Sequence, residues 1–233
     1  MRVLVIDVGG THVKLLASGQ HNHRQFSSGP KMTAKRMVSG VNKAVGDWNY
    51  DVISLGYPGP VLHGRPVAEP HNLGGGWVGF HFQEAFQHPV KVVNDAAMQA
   101  LGSYKGDGKM LFLGLGTGLG SALVLDGKVE PMELGHLSYR KATFEDYIGL
   151  RGLKKHGIKK WRRYVEDVVA CLMAALEPDD VVLGGGNVTK LEVMPPHCRA
   201  GDNANAFLGG FRLWKKELKN GINRKAPNSH AGW

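Results

Sequence analysis

The stretch VIDVGGTHVKLLAS, residues 5–18, sets an aspartate, two glycines and a threonine inside an otherwise apolar run. Residues 3–6 and 13–17 read as two buried strands, because branched apolar side chains follow one another there with little polar interruption. The chain repeats this strand–glycine turn–strand unit, with residues 110–115 and 121–125 flanking the turn GTG at 116–118. Two such units, each followed by further strands and helices, predict two related α/β halves facing one another across a cleft. A plain hairpin needs only a glycine pair. The alternative is that the backbone N–H groups of Gly9, Gly10 and Thr11 face an anion. Asp7, at the strand end, is then placed to hold a divalent cation through water.

Further strands are expected around residues 23–26 and at 52–55, with a helix over 33–45. Met37, Val38, Val41 and Val45 recur there at helical spacing, while Lys35, Arg36 and Lys43 occupy the rest of its surface. GYPGPVLHGRPVAEPHNLGGGW, residues 56–77, is too dense in Gly and Pro to predict a regular element, and a loop of that length is usually functional. A strand at 89–93 runs straight into a helix at NDAAMQALG, with Asn94 or Asp95 as its N-cap. Beyond the turn at 126–127 the pattern predicts an irregular stretch, helices at 143–153 and 160–176, and a strand at 181–183 ended by GGGN. A final helix is expected at 204–218, and residues 219–233 as a flexible tail.

With 233 residues and 42% hydrophobic content, the chain can bury a substantial core. Its two cysteines have neither metal-site nor disulfide-framework spacing, which fits a reducing cytoplasm. No signal peptide or membrane span is expected. The formal net charge of +9 suits an anionic partner, and cations crowd residues 151–163. Aromatic residues do not interleave with them and no DNA-binding motif occurs, so nucleic acid is not an expected partner. A solvated basic helix face explains the same residues.

GLGTGLG, residues 114–120, fails as a dinucleotide fingerprint. Counted from Gly114 and Gly116, the third glycine position holds Leu119, and a strand follows rather than a helix. DVGGTHVK likewise lacks the spacing and ending of a P-loop. Two phosphate-shaped hairpin turns remain, one per half. Asp95 ends a buried strand at a helix start, where it serves either as a cap or as a base facing a ligand. Phosphoryl transfer to an alcohol needs a carboxylate to accept the hydroxyl proton while the phosphates are held in line. In ELGH, Glu133 and His136 stand three apart, a spacing that suits a structural hydrogen bond or two contacts to a polyhydroxy ligand.

Taken in order, DVGGTHVK, GYPGPV, NLGGGWVGF, VVNDAAMQALG, GTGLGSALVLDGKV, ELGH and VVLGGGN resemble the motifs of the ROK family of sugar kinases, over residues 3 to about 210. GTGLGSALVLDGKVEPMELGHL is most similar to the polyphosphate glucokinases within that family. The resemblance implies a two-lobed, actin-like (ribonuclease-H-like) α/β fold with a cleft between the lobes. The lobes are expected at 1–95, completed by the helix at about 204–218, and at 96–203. It also implies transfer of a phosphoryl group from ATP or polyphosphate to the 6-hydroxyl of glucose, with Mg²⁺. By motif, Asp95 corresponds to the general base, and Asn94, Gly59, Glu133 and His136 to residues around the sugar. Glu145, in FEDYIG, resembles a further sugar ligand. Gly9, Gly10, Thr11 and Lys14 match the first phosphate motif, Gly116, Thr117 and Gly118 the second, and Gly184, Gly185 and Gly186 a region bordering the nucleotide. Many members carry a Cys-rich zinc segment after ELGH; this chain has no cysteine before Cys171, so no structural zinc is expected. Family repressors carry an N-terminal DNA-binding domain, which this sequence does not show. A homodimer is the expected assembly. A kinase for another hexose, amino or N-acetylated, and a non-catalytic sugar sensor are the alternatives.

Overall fold

The structure, a computed structural model, describes residues 1–202 and 204–215. The first half contains β1 (Val3–Val8), β2 (His12–Ala17), β3 (Arg24–Ser27), α1 (Ala34–Ala44) and β4 (Val52–Tyr57). It continues through β5 (Val61–Leu62), β6 (Arg65–Pro66), α2 (Phe82–Phe86) and β7 (Val90–Asn94). α3 (Asp95–Ser103) leads into β8 (Lys109–Leu115), β9 (Leu119–Leu125) and β10 (Lys128–Met132). Then come β11 (Ser138–Tyr139), β12 (Ala142–Thr143), α4 (Phe144–Ile148), α5 (Leu150–Leu176), β13 (Asp180–Gly184), β14 (Cys198–Ala200) and α6 (Asn205–Arg212).

Two five-stranded sheets result, ordered β3-β2-β1-β4-β7 and β10-β9-β8-β13-β14. Each begins with an antiparallel meander whose first strand then pairs in parallel with later ones. The halves therefore share one topology. β1 and β8 are central strands, with Leu4, Val5 and Ile6 and Leu111, Leu113 and Leu115 fully buried. Such strands read as continuous apolar runs because both of their faces are covered.

α3 lies between the two sheets. Its Ala96, Ala97 and Ala100 pack with Phe112 and Val124 of the second sheet, while Met98 packs with Val5 and Val52 of the first and with Phe207 of α6. Small residues let α3 and α6 cross closely: a Cβ on Gly102 would overlap the backbone of Asn205, and one on Gly209 the backbone of Met98. Arg212 fastens the crossing by donating to the Tyr104 carbonyl at 2.7 Å. The outer face of the first sheet packs on α1 and on Trp77, Phe82 and Phe86; that of the second packs on α5 around Trp161.

The structure corrects several sequence expectations. The stretch 56–77 does contain a regular element, the β5–β6 hairpin, whose turn residues His63 and Gly64 both take positive φ and so form the tight turn that two-residue hairpins need. The stretch after 126–127 is not irregular but is β10, an edge strand that tolerates Pro131 because one of its sides has no ladder to complete. The expected helix 143–153 stops at Gly149, whose backbone is extended. The next helix runs from Leu150 with a kink at Gly157 (φ 74°). α2 and β14 were not expected, being short and only partly apolar. Asn94, not Asp95, is the N-cap of α3, accepting from the Ala97 N–H at 3.1 Å. α6 covers part of the expected helix 204–218; residues 216–218 and the expected tail 219–233 lie outside the described residues.

Candidate active site

The shared topology brings the C-terminal ends of β1, β7 and β8 to one cavity of about 570 Å³. Among the expected site residues, Gly9, Gly10, Gly59, Asn94 and Asp95 line it from the first half and the start of α3. Gly116, Thr117, Gly118, Glu133, His136, Glu145 and Gly185 line it from the second. Asp7, Thr11, Lys14, Gly184 and Gly186 do not form its wall. Gly184 has a packing reason of its own, since a Cβ there would press on the Phe112 ring. A larger groove of about 940 Å³ lies between the β5–β6 hairpin, α2 and β7, and contains neither glycine turn.

Each turn leaves two consecutive amides without a partner among the described residues. In the first, the Gly9 N–H is spent on the His12 carbonyl at 2.9 Å, while those of Gly10 and Thr11 remain. The expectation that Gly9 also offers its N–H to an anion is thereby corrected: the hairpin itself takes it. In the second, the Gly116 N–H closes on the Gly118 carbonyl at 3.1 Å, and those of Thr117 and Gly118 remain. Successive free amides in a turn form a concavity suited to an anion.

Between the turns stands Asp95. Burial pushes its carboxyl up to about 7, the neighbouring Asp7 carboxylate adds to the rise, the Ala96 N–H partly offsets it, and Glu133 contributes a smaller increase. That N–H donates to Asp95 Oδ1 at 2.8 Å. Asp7 is itself raised by burial and held back by Lys14, its cross-strand partner. Asn94 is occupied structurally. Its Oδ1 caps α3, and its Nδ2 donates to the Gly59 carbonyl at 3.1 Å, leaving one amide hydrogen uncommitted. The clamp on Gly59 fixes the start of the glycine- and proline-rich loop against α3.

Glu145 sits in the first turn of α4, whose N-terminus is closed by a reciprocal Thr143–Asp146 capping box. Its Oε2 accepts from the Leu119 N–H at 3.0 Å, and a Cβ on Gly118 would overlap its carboxylate. Asn187 Nδ2 donates to the Gly116 carbonyl at 2.9 Å, and the Leu150 N–H reaches the Gly116 and Thr117 carbonyls, both at 3.1 Å. Glu133 precedes and His136 ends the short turn Leu134–His136, both exposed and lining the cavity.

Sequence reasoning missed Glu69, His71, Asn72 and Gln99, which also line the cavity. Glu69 receives the Trp77 and Val78 N–H groups, and Trp77 Nε1 donates to the Gly74 carbonyl at 2.7 Å, so the loop folds around a buried tryptophan. A lone Trp closing a glycine run was the available signal for that ordering.

Among the described residues, no group of three or more His, Cys, Asp or Glu side chains is disposed to hold a metal ion. Mg²⁺ does not need one, since it keeps several waters and commonly takes one or two carboxylates plus substrate phosphates. Asp7 makes no hydrogen bond among the described residues and faces the field of Asp95, so two adjoining acids with one nearby lysine suit such a cation. No described helix is long and apolar enough to cross a membrane.

A sequence profile of the ROK family matches residues 3–143. The chain is 28% identical over 201 residues to a polyphosphate glucokinase of Mycobacterium leprae, covering 79% of this chain and 59% of that protein. It is 26% identical over 160 residues to an N-acetylmannosamine kinase of Pasteurella multocida, covering 61% of this chain and 54% of the other. The chain thus spans less than two thirds of the length of these curated relatives. The crystal structure of an inorganic polyphosphate/ATP-glucomannokinase from an Arthrobacter strain superposes with a TM-score of 0.76 at 20% identity, over 89% of this chain and 96% of that one. The likeness is one of fold, the two-lobed actin-like α/β architecture.

Proposed function

The chain belongs to the ROK family, and on that premise we propose that it is a sugar kinase, transferring a phosphoryl group from polyphosphate or ATP to the 6-hydroxyl of glucose. The observation that carries this reading is Asp95, a carboxylate raised to about 7 between two turns that each offer a pair of unpaired amides. A base with that affinity is about half ionised at neutral pH and basic enough to accept a hydroxyl proton as the phosphoryl group arrives. The Gly10–Thr11 and Thr117–Gly118 amides hold the donor's phosphoryl oxygens where negative charge builds, with Lys14 and the Gly184–Gly186 segment nearby. Glu133, His136, Glu145, Asn94 and the Gly59 carbonyl bind and orient the sugar's hydroxyls. Asp7 would hold Mg²⁺, and the ion would supply charge neutralisation on the phosphates. In this reading the lobes are residues 1–95 with α6, and residues 96–203.

A kinase for an N-acetylated hexose is the second reading, supported by the N-acetylmannosamine kinase among the relatives. The test is a coupled assay for sugar 6-phosphate with glucose, mannose and N-acetylmannosamine, each with ATP and with polyphosphate. Glucose should give the highest kcat/KM. Preference for N-acetylmannosamine would move the assignment to the second reading. Glucose binding without turnover on either donor would replace both with a sugar sensor.

A further inference from the structure

We propose that Glu145 couples the two substrates, one carboxylate oxygen bracing the donor turn while the other meets a sugar hydroxyl. The inference rests on the sugar-kinase reading and adds to it a physical link between acceptor and donor sites.

Three features of one side chain carry it. Its backbone is fixed, because the capping box sets the start of α4 and Phe144 and Ile148 on either side are buried. One oxygen is committed: Oε2 takes the Leu119 N–H, the amide that directly follows the unpaired Thr117 and Gly118 amides. The other is not, since Oε1 makes no hydrogen bond among the described residues and the side chain lines the cavity. Contact with the turn is close enough that a Cβ on Gly118 would displace the Glu145 carboxylate, and the ELGH turn abuts the same side chain, with Glu145 Cβ 3.5 Å from the Cβ position of Gly135. Sugar bound to Oε1 therefore restrains the carboxylate whose other oxygen holds the turn. Ordering the turn before the donor arrives lowers the entropic cost of donor binding, and by linkage the donor tightens the sugar equally. In the first turn no side chain accepts from a backbone amide of residues 9–12 among the described residues, and the Gly9 amide is held by the His12 carbonyl instead.

The test is calorimetric titration of Mg²⁺–AMP-PNP and of tripolyphosphate, without sugar and with saturating 6-deoxyglucose, which keeps the ring hydroxyls but cannot be phosphorylated. Wild type should bind donor at least ~5-fold more tightly with sugar present, the low end of ordinary coupling. Glu145→Gln keeps an acceptor for the Leu119 amide but turns an N–H₂ toward the sugar, and its coupling should fall below ~2-fold. Glu133→Gln should weaken sugar binding and leave the coupling ratio intact once sugar saturates. A purely structural Glu145 would lower thermal stability and both donor affinities together, without changing their ratio. Should Glu145→Gln fail to fold, Glu145→Asp, too short to span both contacts, serves the same comparison. No sugar-dependent tightening in wild type, or equal coupling in wild type and the variant, overturns the proposal while leaving a glucose-phosphorylating enzyme a kinase. A wild type that neither binds 6-deoxyglucose nor phosphorylates glucose removes the glucokinase reading and this inference with it.

Discussion

The turns that close β1 and β8 are built from the same grammar, yet their surroundings differ. The first is held by its own hairpin: Gly9 donates to His12, and the Thr11 carbonyl takes the Ser28 N–H at 2.8 Å. A Cβ placed on Gly10 would meet Asn72 Cβ at an ordinary 3.5 Å. The second is held from outside, by Glu145, Asn187 and the start of α5. Its Gly118 is a glycine for a packing reason, whereas Gly10 has no reason within the protein. Where neither backbone angle nor packing requires a glycine, close approach of a ligand is the remaining physical demand. Two turns of one pattern thus teach different things: one reports on what binds, the other also on how the second half is assembled.

The largest expected effect falls on the carboxylate that shares the cavity with both turns. Asp95→Asn should reduce kcat by about 10²–10⁴-fold while sugar affinity stays within about tenfold. In wild type, kcat/KM for the sugar should fall below an apparent pKa near 7. The same variant tests the buried charge separately. Because folding raises this carboxyl above its ordinary value of about 3.9, its contribution to stability is full below that value and is lost as pH rises through about 7. Asn does not ionise, so Asp95→Asn should unfold at a higher temperature than wild type at pH 8, and the gap should close toward pH 4. A melting difference independent of pH would remove the raised carboxyl and with it the central position assigned to Asp95.

An intermediate effect separates the turns directly. Gly118→Ala sets a methyl against the Glu145 carboxylate, which must turn away and leave the Leu119 amide unpaired, at a cost of about 1–3 kcal/mol. For a chain of this size that is a fall of roughly 2–10 °C in Tm. Gly10→Ala should stay within about 0.5 kcal/mol of wild type, the ordinary range for surface changes, and raise the donor KM instead. Adding Glu145→Ala to Gly118→Ala should cost little more than either change alone, because both remove the one bond to the Leu119 amide. If Gly10→Ala destabilises as much as Gly118→Ala, or leaves the donor KM untouched, the contrast between the turns fails.

That contrast was only half visible in the sequence. The paired strand–turn–strand units were legible because apolar runs interrupted by Gly-rich turns are local patterns, and they carried the two-half architecture with them. Asp95 and the ELGH residues were legible as candidates because they end strands or sit in short motifs. Bonds across long separations were not: nothing in residues 116–119 announces that a carboxylate 26 positions later will take the Leu119 amide. β10 was lost because Glu130 and Pro131 suppress the strand signal that its pairing with β9 restores. Glu69, His71 and Asn72 were hidden in a loop whose order comes from a buried Trp77 rather than from periodicity.

The smallest effect concerns what leads away from the second turn. α5 begins beside Gly116 and Thr117 and carries the cations of residues 151–163. Two of these are engaged: Arg151 pairs with Asp146 at 3.0 Å and Arg162 with Glu192 at 2.7 Å. Lys154, Lys155, Lys159, Lys160 and Arg163 are exposed and form no ion pair among the described residues, and the Gly157 kink divides them into two groups. A triphosphate held at the turns needs few of them, whereas a polyphosphate chain is long enough to follow the helix. Exposed charges contribute little each, so replacing Lys154, Lys155, Lys159 and Lys160 together by Gln should weaken polyphosphate by about 1 kcal/mol, roughly fivefold in KM. The KM values for ATP and glucose should move by less than about twofold, and added salt should erase most of the difference between variant and wild type. The first turn has no such helix behind it, so an equal loss for both donors would show that these lysines serve the cleft as a whole and that the second turn has no track of its own.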